Sequence, residues 1–443
     1  MLGMAGMSPV RLLTLGEGLT ITFAADELSL FFMCITTLIW VLVGIYAIAY
    51  MKHEGGAGRF FSVYLLLYMV LLALDCSANL VTMYVCYELM TLVSMLLVVH
   101  NRSREAIMAT LKYLFYSLCG AYLGLFGIFY LNRYCVDLDF GSAGRLDMSA
   151  LAGHEQTLLI VVFLMLIGFG TKAGMFPLHG WLPTAHPVAP SPASAALSAI
   201  IVKSGVLATI RVVYNIVGAD FLRGTWVQSA WMSLTLLTVF MGSMLAFREP
   251  VVKKRFAYST VSQVSYILFG LSLLQEQAFS GSLLHVCFHA VIKCGLFLCA
   301  GVFLVVCDRK RVDELAGIGR KMPVMLWCYT CFALALVGIP PTSGFVSKWQ
   351  LAVGALDANV GFFSWLGPVI LLISALLTAG YLLPITMRGF FPGADDRCTD
   401  LAKKEPPLLM LVPLLVLAAL AVLLGVFPNG LLSVCQKLAC LWL

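Results

Sequence analysis

Charge is what this chain has least of. Asp, Glu, Lys and Arg together make up 11% of its 443 residues, against about 25% in an ordinary soluble domain. That scarcity excludes a soluble globular enzyme, a disordered chain and a nucleic-acid binder. No low-complexity tract is present, and the longest polar loop, Asn132–Gln156, is too short to fold alone. No cleavable signal peptide is expected, because Met1–Gly16 has no basic start and no small-residue cleavage site follows a short apolar run. Only Cys328-Tyr329-Thr330-Cys331 has the CxxC spacing. Without a second pair it is a weak signal for zinc or redox chemistry. Most of the 14 cysteines lie in apolar runs, where a thiol behaves as a small hydrophobe.

What is abundant is apolar surface, with 61% hydrophobic residues and a mean hydropathy of +0.96. The sequence therefore predicts a polytopic membrane protein. A span needs about 20 apolar residues, and twelve such runs are legible. They are Leu28–Tyr50, Phe60–Cys76, Asn79–Val99, Glu105–Leu131, Thr157–Phe176 and Pro192–Val217, then Val227–Phe247, Phe256–Leu274, Phe279–Val306, Pro323–Leu356, Trp365–Phe391 and Pro406–Phe427. The tenth is interrupted by Pro340-Pro341.

The basic residues test this count. With the first span entering from outside, the cytoplasmic loops hold 17 of the 28 Lys and Arg and the opposite side holds 6. That bias is a strong positive-inside signal. It predicts an even number of spans in the cell membrane with both termini outside.

The remaining five basic residues, Lys112, Lys172, Lys203, Lys293 and Lys348, fall inside spans. Each costs roughly 2.5–3.5 kcal/mol at mid-membrane. Together they cost on the order of 15 kcal/mol, comparable to a whole protein's stability. Glu88 adds a carboxylate, and Asp75 lies at the bend before the third span. Such residues face a bundle interior or water and mark ion or proton paths. Snorkelling competes as a reading for Lys112, which lies near a helix start, and suits the deeper lysines poorly. A lysine near a carboxylate holds its proton and gives it up when isolated in a dry cavity. Lys112 and Asp75 are accordingly accessory candidates.

His285, His289 and Lys293 are spaced i, i+4, i+8. On a helix they lie about 40° apart in turn and span about 12 Å. This makes one polar ridge on an apolar helix, and neutral histidine can relay a proton. A metal reading is disfavoured because no carboxylate or cysteine stands at ligand spacing on that face. Two helix breaks lie near lysines, at Lys172-Ala-Gly-Met-Phe-Pro177 and at Gly338-Ile-Pro340-Pro341 before Lys348. Broken backbone at membrane depth is tolerated only inside protein or beside water. Paired interruptions point to internal repeats around a transport path. The boundaries are then 1–27 as a short N-terminal segment, 28–50 as the first span, 60–217 and 227–391 as two five-helix repeats, and 392–443 as the last span and tail. Ser117, Gly120, Gly124 and Gly127 line one side of the fourth span, which reads as close helix packing and not as a site.

These motifs resemble those of a known family. Lys172-Ala-Gly-Met-Phe-Pro-Leu-His-Gly-Trp-Leu-Pro-Thr-Ala-His186, Ala189-Pro-Ser-Pro, Ala199-Ile-Ile-Val-Lys203, Asp26-Glu-Leu-Ser-Leu-Phe-Phe32 and Tyr87-Glu88-Leu89-Met90 are similar to the antiporter-like subunits of respiratory complex I. Related subunits occur in Mrp antiporters and membrane-bound [NiFe] hydrogenases. Lys254-Arg-Phe-Ala-Tyr-Ser259, His285-x3-His289-Ala-x2-Lys293 and Gly338-Ile-Pro-Pro-x2-Gly-Phe-x-Ser-Lys348 extend the likeness to most of the chain. The resemblance implies an all-α fold of about 12 transmembrane helices with two inverted five-helix repeats and two discontinuous helices.

It also implies a proton path. Glu88 would pair with Lys172, Lys203 would pass the proton to the middle, and His285, His289 and Lys293 would continue the axis to Lys348. The breaks at Pro177, Pro340 and Pro341 would flank it. The family usually has fourteen spans, so the first two are expected to come from a neighbouring chain or to be trimmed. The leading expectation is a proton- or sodium-translocating subunit of a redox-driven complex. A subunit of a secondary Mrp-type cation/proton antiporter is the alternative, and a structural subunit with a decayed channel is a third reading. No haem, flavin or iron–sulfur pattern is present, so no cofactor or metal is expected on this chain. The implied partners are a homologous antiporter-like subunit, small hydrophobic subunits, redox-arm subunits carrying Fe–S clusters, and lipid, with no nucleic acid.

Overall fold

A computed structural model describes residues 8–16, 19–141 and 143–443. Among them, ten helices are long and apolar enough to cross a membrane. They are α1 (Glu27–Glu54), α2 (Ala57–Asp75), α3 (Leu80–Val98), α4 (Arg104–Tyr134), α5 (Glu155–Ala173), α7 (Ser191–Val217), α8 (Trp226–Arg248), α10 (Glu276–Val305), α13 (Phe362–Phe390) and α14 (Leu408–Val426). The short helix α6 (Leu182–Val188) lies in the first break. The eighth expected span is a helix, α9 (Val252–Ser272), but it is rich in Ser, Lys and Tyr and is not apolar enough to count by composition. It can be so polar because neighbours bury nearly all of it. The tenth expected span is two helices, α11 (Pro323–Val337) and α12 (Ser343–Asp357).

Two further elements were not read from the sequence. The N-terminal segment carries an antiparallel pair, β1 (Val10–Gly16) and β2 (Leu19–Phe23). The tail after the last span forms α15 (Asn429–Ala439), which buries Cys435 and Leu438 and packs on α10.

The centre of the fold is α7 and α10. Every residue of the apolar stretch of α7 is buried, so the helix has no amphipathic face. Two π-helical segments, Leu197–Ile201 and Arg211–Val217, interrupt it. Such segments widen the helix and occur frequently at functional sites. The small-residue stripe of α4 lets α5 approach closely: a Cβ at Gly120 would collide with the Gly168 carbonyl and Thr171, and one at Gly124 with Phe169.

Both breaks have the same local grammar. Gly174 ends α5 at φ +80°, and Gly338 ends α11 at φ +91°. Only glycine adopts that conformation cheaply. Each break then contains a cis X-Pro bond, at Phe176-Pro177 and Pro340-Pro341. The chain around them is tied down by side chains. Trp181 Nε1 donates to the Thr171 carbonyl at 2.8 Å. Lys253 and Arg255, counted from sequence as loop cations, are instead buried in the first turn of α9. Lys253 donates to the Ala189 carbonyl at 2.8 Å, and Arg255 donates to the Tyr381 carbonyl at 2.8 Å.

Candidate functional site

The site is a set of ionisable groups buried in an apolar bundle, so each needs partners. Lys172 stands in the last turn of α5, at the first break. Its ammonium donates to Thr91 Oγ1 at 2.8 Å, Tyr113 Oη at 3.0 Å and Ser117 Oγ at 3.0 Å. Three donors thus meet three hydroxyl acceptors. The ring of Tyr113, 4.6 Å from the ammonium, adds a cation–π contact. Tyr113 in turn shares a 2.6 Å hydrogen bond with Ser94.

Glu88 is half-buried on α3. Its Oε1 has no hydrogen-bond partner, and among the described residues no ion pair within 4.0 Å joins it to Lys172. The expected Glu88–Lys172 pair is therefore an electrostatic relation across a gap, not a contact. The hydroxyl cradle explains why: Lys172 is saturated without the carboxylate. Ser117, read from sequence as packing only, belongs to that cradle.

At the centre, Lys203 Nζ donates to the Ser198 carbonyl at 2.6 Å and lies 2.8 Å from His289 Nδ1. Ser198 belongs to the π-helical turn, whose widened backbone leaves that carbonyl within reach of the lysine. A charged Lys203 can only donate, so neutral His289 then accepts at Nδ1 and carries its proton on Nε2. That Nε2 is buried without a protein partner. The rings of His289 and His285 stack with centroids 5.8 Å apart. His285 Nδ1 lies 2.9 Å from Ser347 Oγ, and its Nε2 also lacks a partner.

Ser347 leads to the second break. The next residue, Lys348, donates to the carbonyls of Leu336 at 2.6 Å and Val337 at 3.0 Å. These are free carbonyls at the C-terminus of α11, the negative end of the helix dipole. The Tyr266 ring joins the two groups, stacking on His285 at 5.7 Å and lying 5.2 Å from the Lys348 ammonium.

Lys293 and the two accessory candidates, Lys112 and Asp75, stand apart from this line. Lys293 is on the same helix as the histidines, but its ammonium turns to the Phe256 carbonyl at 3.0 Å. Lys112 is exposed on the flank of α4, 5.9 Å from the Tyr116 ring. Asp75 is buried at the end of α2 and accepts a hydrogen bond from Thr36 Oγ1 at 3.1 Å.

Sequence reasoning missed Thr91, Tyr113, Ser198, Ser347 and Tyr266. One signal was available: Thr91 lies at i+3 from Glu88, on the same face of α3. His186, in the first-break motif, has no role legible from the sequence. His186 is buried, stacks on Phe297 at 4.6 Å and has neither ring nitrogen bonded. Among the described residues no group of three or more His, Cys, Asp or Glu side chains is placed to hold a metal ion.

Comparison with known proteins gives a consistent result. Residues 77–378 match the family described as NADH:quinone oxidoreductase/Mrp antiporter, TM, and residues 14–61 match NADH-Ubiquinone oxidoreductase (complex I), chain 5 N-terminus. The chain is 31% identical to NADH-quinone oxidoreductase subunit N of Desulforudis audaxviator, covering 91% of this chain and 82% of that one. It is 30% identical to Hydrogenase-4 component B of Escherichia coli, covering 91% of this chain and 62% of that one. Its fold superposes on a chain of the Mrp complex from Dietzia sp. with a TM-score of 0.85 at 22% identity, covering 99% of this chain and 88% of that one.

Proposed function

The chain belongs to the NADH:quinone oxidoreductase/Mrp antiporter family of membrane subunits, and on that premise we propose that it translocates protons within a multisubunit, redox-driven complex. The observation that carries the reading is the buried line from Lys203 through His289 and His285 to Ser347 and Lys348. It is built from three helices, α7, α10 and α12, and connects the middle of the bundle to the second break.

The chemistry follows from the groups. A proton on Lys203 can pass to His289 Nδ1 along their hydrogen bond, leaving neutral lysine and a protonated imidazole. The imidazolium then holds a proton at Nε2, which has no protein partner, beside the His285 ring stacked 5.8 Å away. His285 and Ser347 carry the relay to the break, where Lys348 rests on two carbonyls and can turn away from them as it deprotonates. Lys172 and Glu88 form the other half-channel. Because the two do not touch, a small movement of Glu88 or of the hydroxyl cradle changes how firmly Lys172 holds its proton. Residues 60–217 and 227–391 are the two half-channels, and the basic loops face the cytoplasm, with both termini outside.

Partners of this reading are other membrane subunits, one of them homologous, and a redox arm carrying Fe–S clusters. A secondary cation/proton antiporter remains the second reading, favoured by the close superposition on a chain of an Mrp complex. Purification from native membranes in mild detergent, followed by mass spectrometry, separates the two. Iron–sulfur, nickel–iron or flavin subunits are expected to copurify. Only small hydrophobic partners, without a redox centre, would favour the antiporter.

A further inference from the structure

A second buried carboxylate, Asp75, shares a crevice with the central lysine on the side of α1 and α2. Asp75 is the last residue of α2 and is 5% exposed. It and Lys203 line one narrow crevice, together with Thr36, Phe32, Ile200 and Ser204. They are the only ionisable side chains in its lining. The free space is about 10 Å³, the threshold for a single water molecule.

A structural role does not account for an aspartate here. Burial penalises a carboxylate, and the C-terminal end of a helix disfavours negative charge. Asparagine would bond Thr36 equally well at neither cost. Nor is Asp75 neutralised by a partner. The nearest guanidinium, Arg211, is committed to Asp26 at 2.5 and 2.8 Å and also bonds Asn215 and Ser29. Lys203 and Arg211 are eight residues apart on α7, about 12 Å along the helix. Backbone hydrogen bonds from Ala24 to Cys76 and from Ala78 to Thr22 tie the end of α2 to the chain just before Asp26, so Asp75 is near both the central lysine and the Asp26–Arg211 pair. Asp26 is 38% exposed and lies toward the face that the basic-residue bias marks as outer.

We propose that Asp75 exchanges a proton with Lys203 through this crevice and forms a lateral branch of the path toward the outer face. The inference rests on the proton-path reading. The step is balanced: the Lys203 ammonium gives a proton to a bridging water, and that water gives one to the Asp75 carboxylate. A neutral amine and a neutral acid replace two opposite charges, so the exchange changes no net charge in the bundle.

The test uses the intact complex in vesicles, with proton movement followed by an interior pH dye. Asp75→Asn is expected to lower proton transport at least tenfold, and Asp75→Glu to retain most of it. Glu88→Gln serves as the control for the main path. Normal transport by Asp75→Asn with transport lost in Glu88→Gln overturns the branch alone. Normal transport by both overturns the proton path and the branch with it. Should Asp75→Asn fail to assemble, an apolar carbodiimide, which reacts with protonated buried carboxyls, decides. Mass spectrometry should find Asp75 modified several-fold faster in the Lys203→Ala complex than in wild type. Equal modification would overturn the exchange.

Discussion

Lys203 Nζ lies 2.8 Å from Nδ1 of His289, a residue 86 positions away in the chain. Both side chains are buried in a bundle that supplies neither with a carboxylate in contact. That pair is where the polar line toward the second break begins. It joins the π-helical turn of α7 to the histidine ridge of α10.

The ridge is expected to be graded in importance. His289→Ala removes the direct acceptor of Lys203 and should abolish transport. Lys293→Ala removes a lysine whose ammonium faces the Phe256 carbonyl and should reduce transport without stopping it. Parallel transport assays on the two variants check the order, and the reverse order would contradict the path drawn here.

The hydroxyl cradle of Lys172 makes a second prediction. A hydrogen bond to a charged group contributes about 1.5–3 kcal/mol. Tyr113→Phe and Thr91→Val should each slow transport by roughly tenfold or more, since about 1.4 kcal/mol corresponds to tenfold, while the complex still assembles. Lys112→Ala, by contrast, should leave transport within about twofold of wild type, because Lys112 is exposed on the flank. A complete block there would place Lys112 on the path.

The Asp26–Arg211 pair predicts a pH dependence of stability. Burial pushes the Asp26 carboxyl up, but the Arg211 guanidinium and the Ser29 hydrogen bonds outweigh it and hold it below the ordinary value of 3.8. A carboxyl depressed in the folded state stabilises it fully above the unfolded pKa. The contribution is lost as pH falls through the folded pKa. Asp26→Asn should therefore lower the Tm at pH 7 and cease to matter in strong acid, below that range. A Tm difference independent of pH would contradict the pair's ionic role.

Close packing of α4 on α5 gives a fourth. Overpacking a tight contact costs typically about 1–3 kcal/mol. Gly120→Leu drives a side chain into the Gly168 carbonyl and Thr171, and should lower the Tm and the yield of assembled complex. Gly58→Leu, at a position with open space, should not.

Much of this was legible in the sequence, and the limits are physical. Apolar run length located α1 to α4 and α14 because lipid imposes one length on every span. The apolar run Phe256–Leu274 located α9 as well, but not how polar its start is: its Lys253, Arg255, Ser and Gln are buried inside protein. The breaks were legible from Gly and Pro, which act locally. The lysines were conspicuous because charge is costly in a bilayer, whereas Thr91, Tyr113 and Ser347 are ordinary residues there. Only folding shows which lysine each hydroxyl meets. The gap between Glu88 and Lys172 was hidden for the same reason: the sequence could not show that three hydroxyls already satisfy the ammonium. The role of Arg211 was hidden too, since its partner lies at the far end of the sequence.

The central claim is that protons cross through Lys203. The direct measurement is proton transport by the native complex in sealed vesicles, wild type against Lys203→Ala, with assembly checked by native gel. The account predicts an assembled complex whose coupled proton transport is lost. An assembled Lys203→Ala complex that moves protons at the wild-type rate would contradict it.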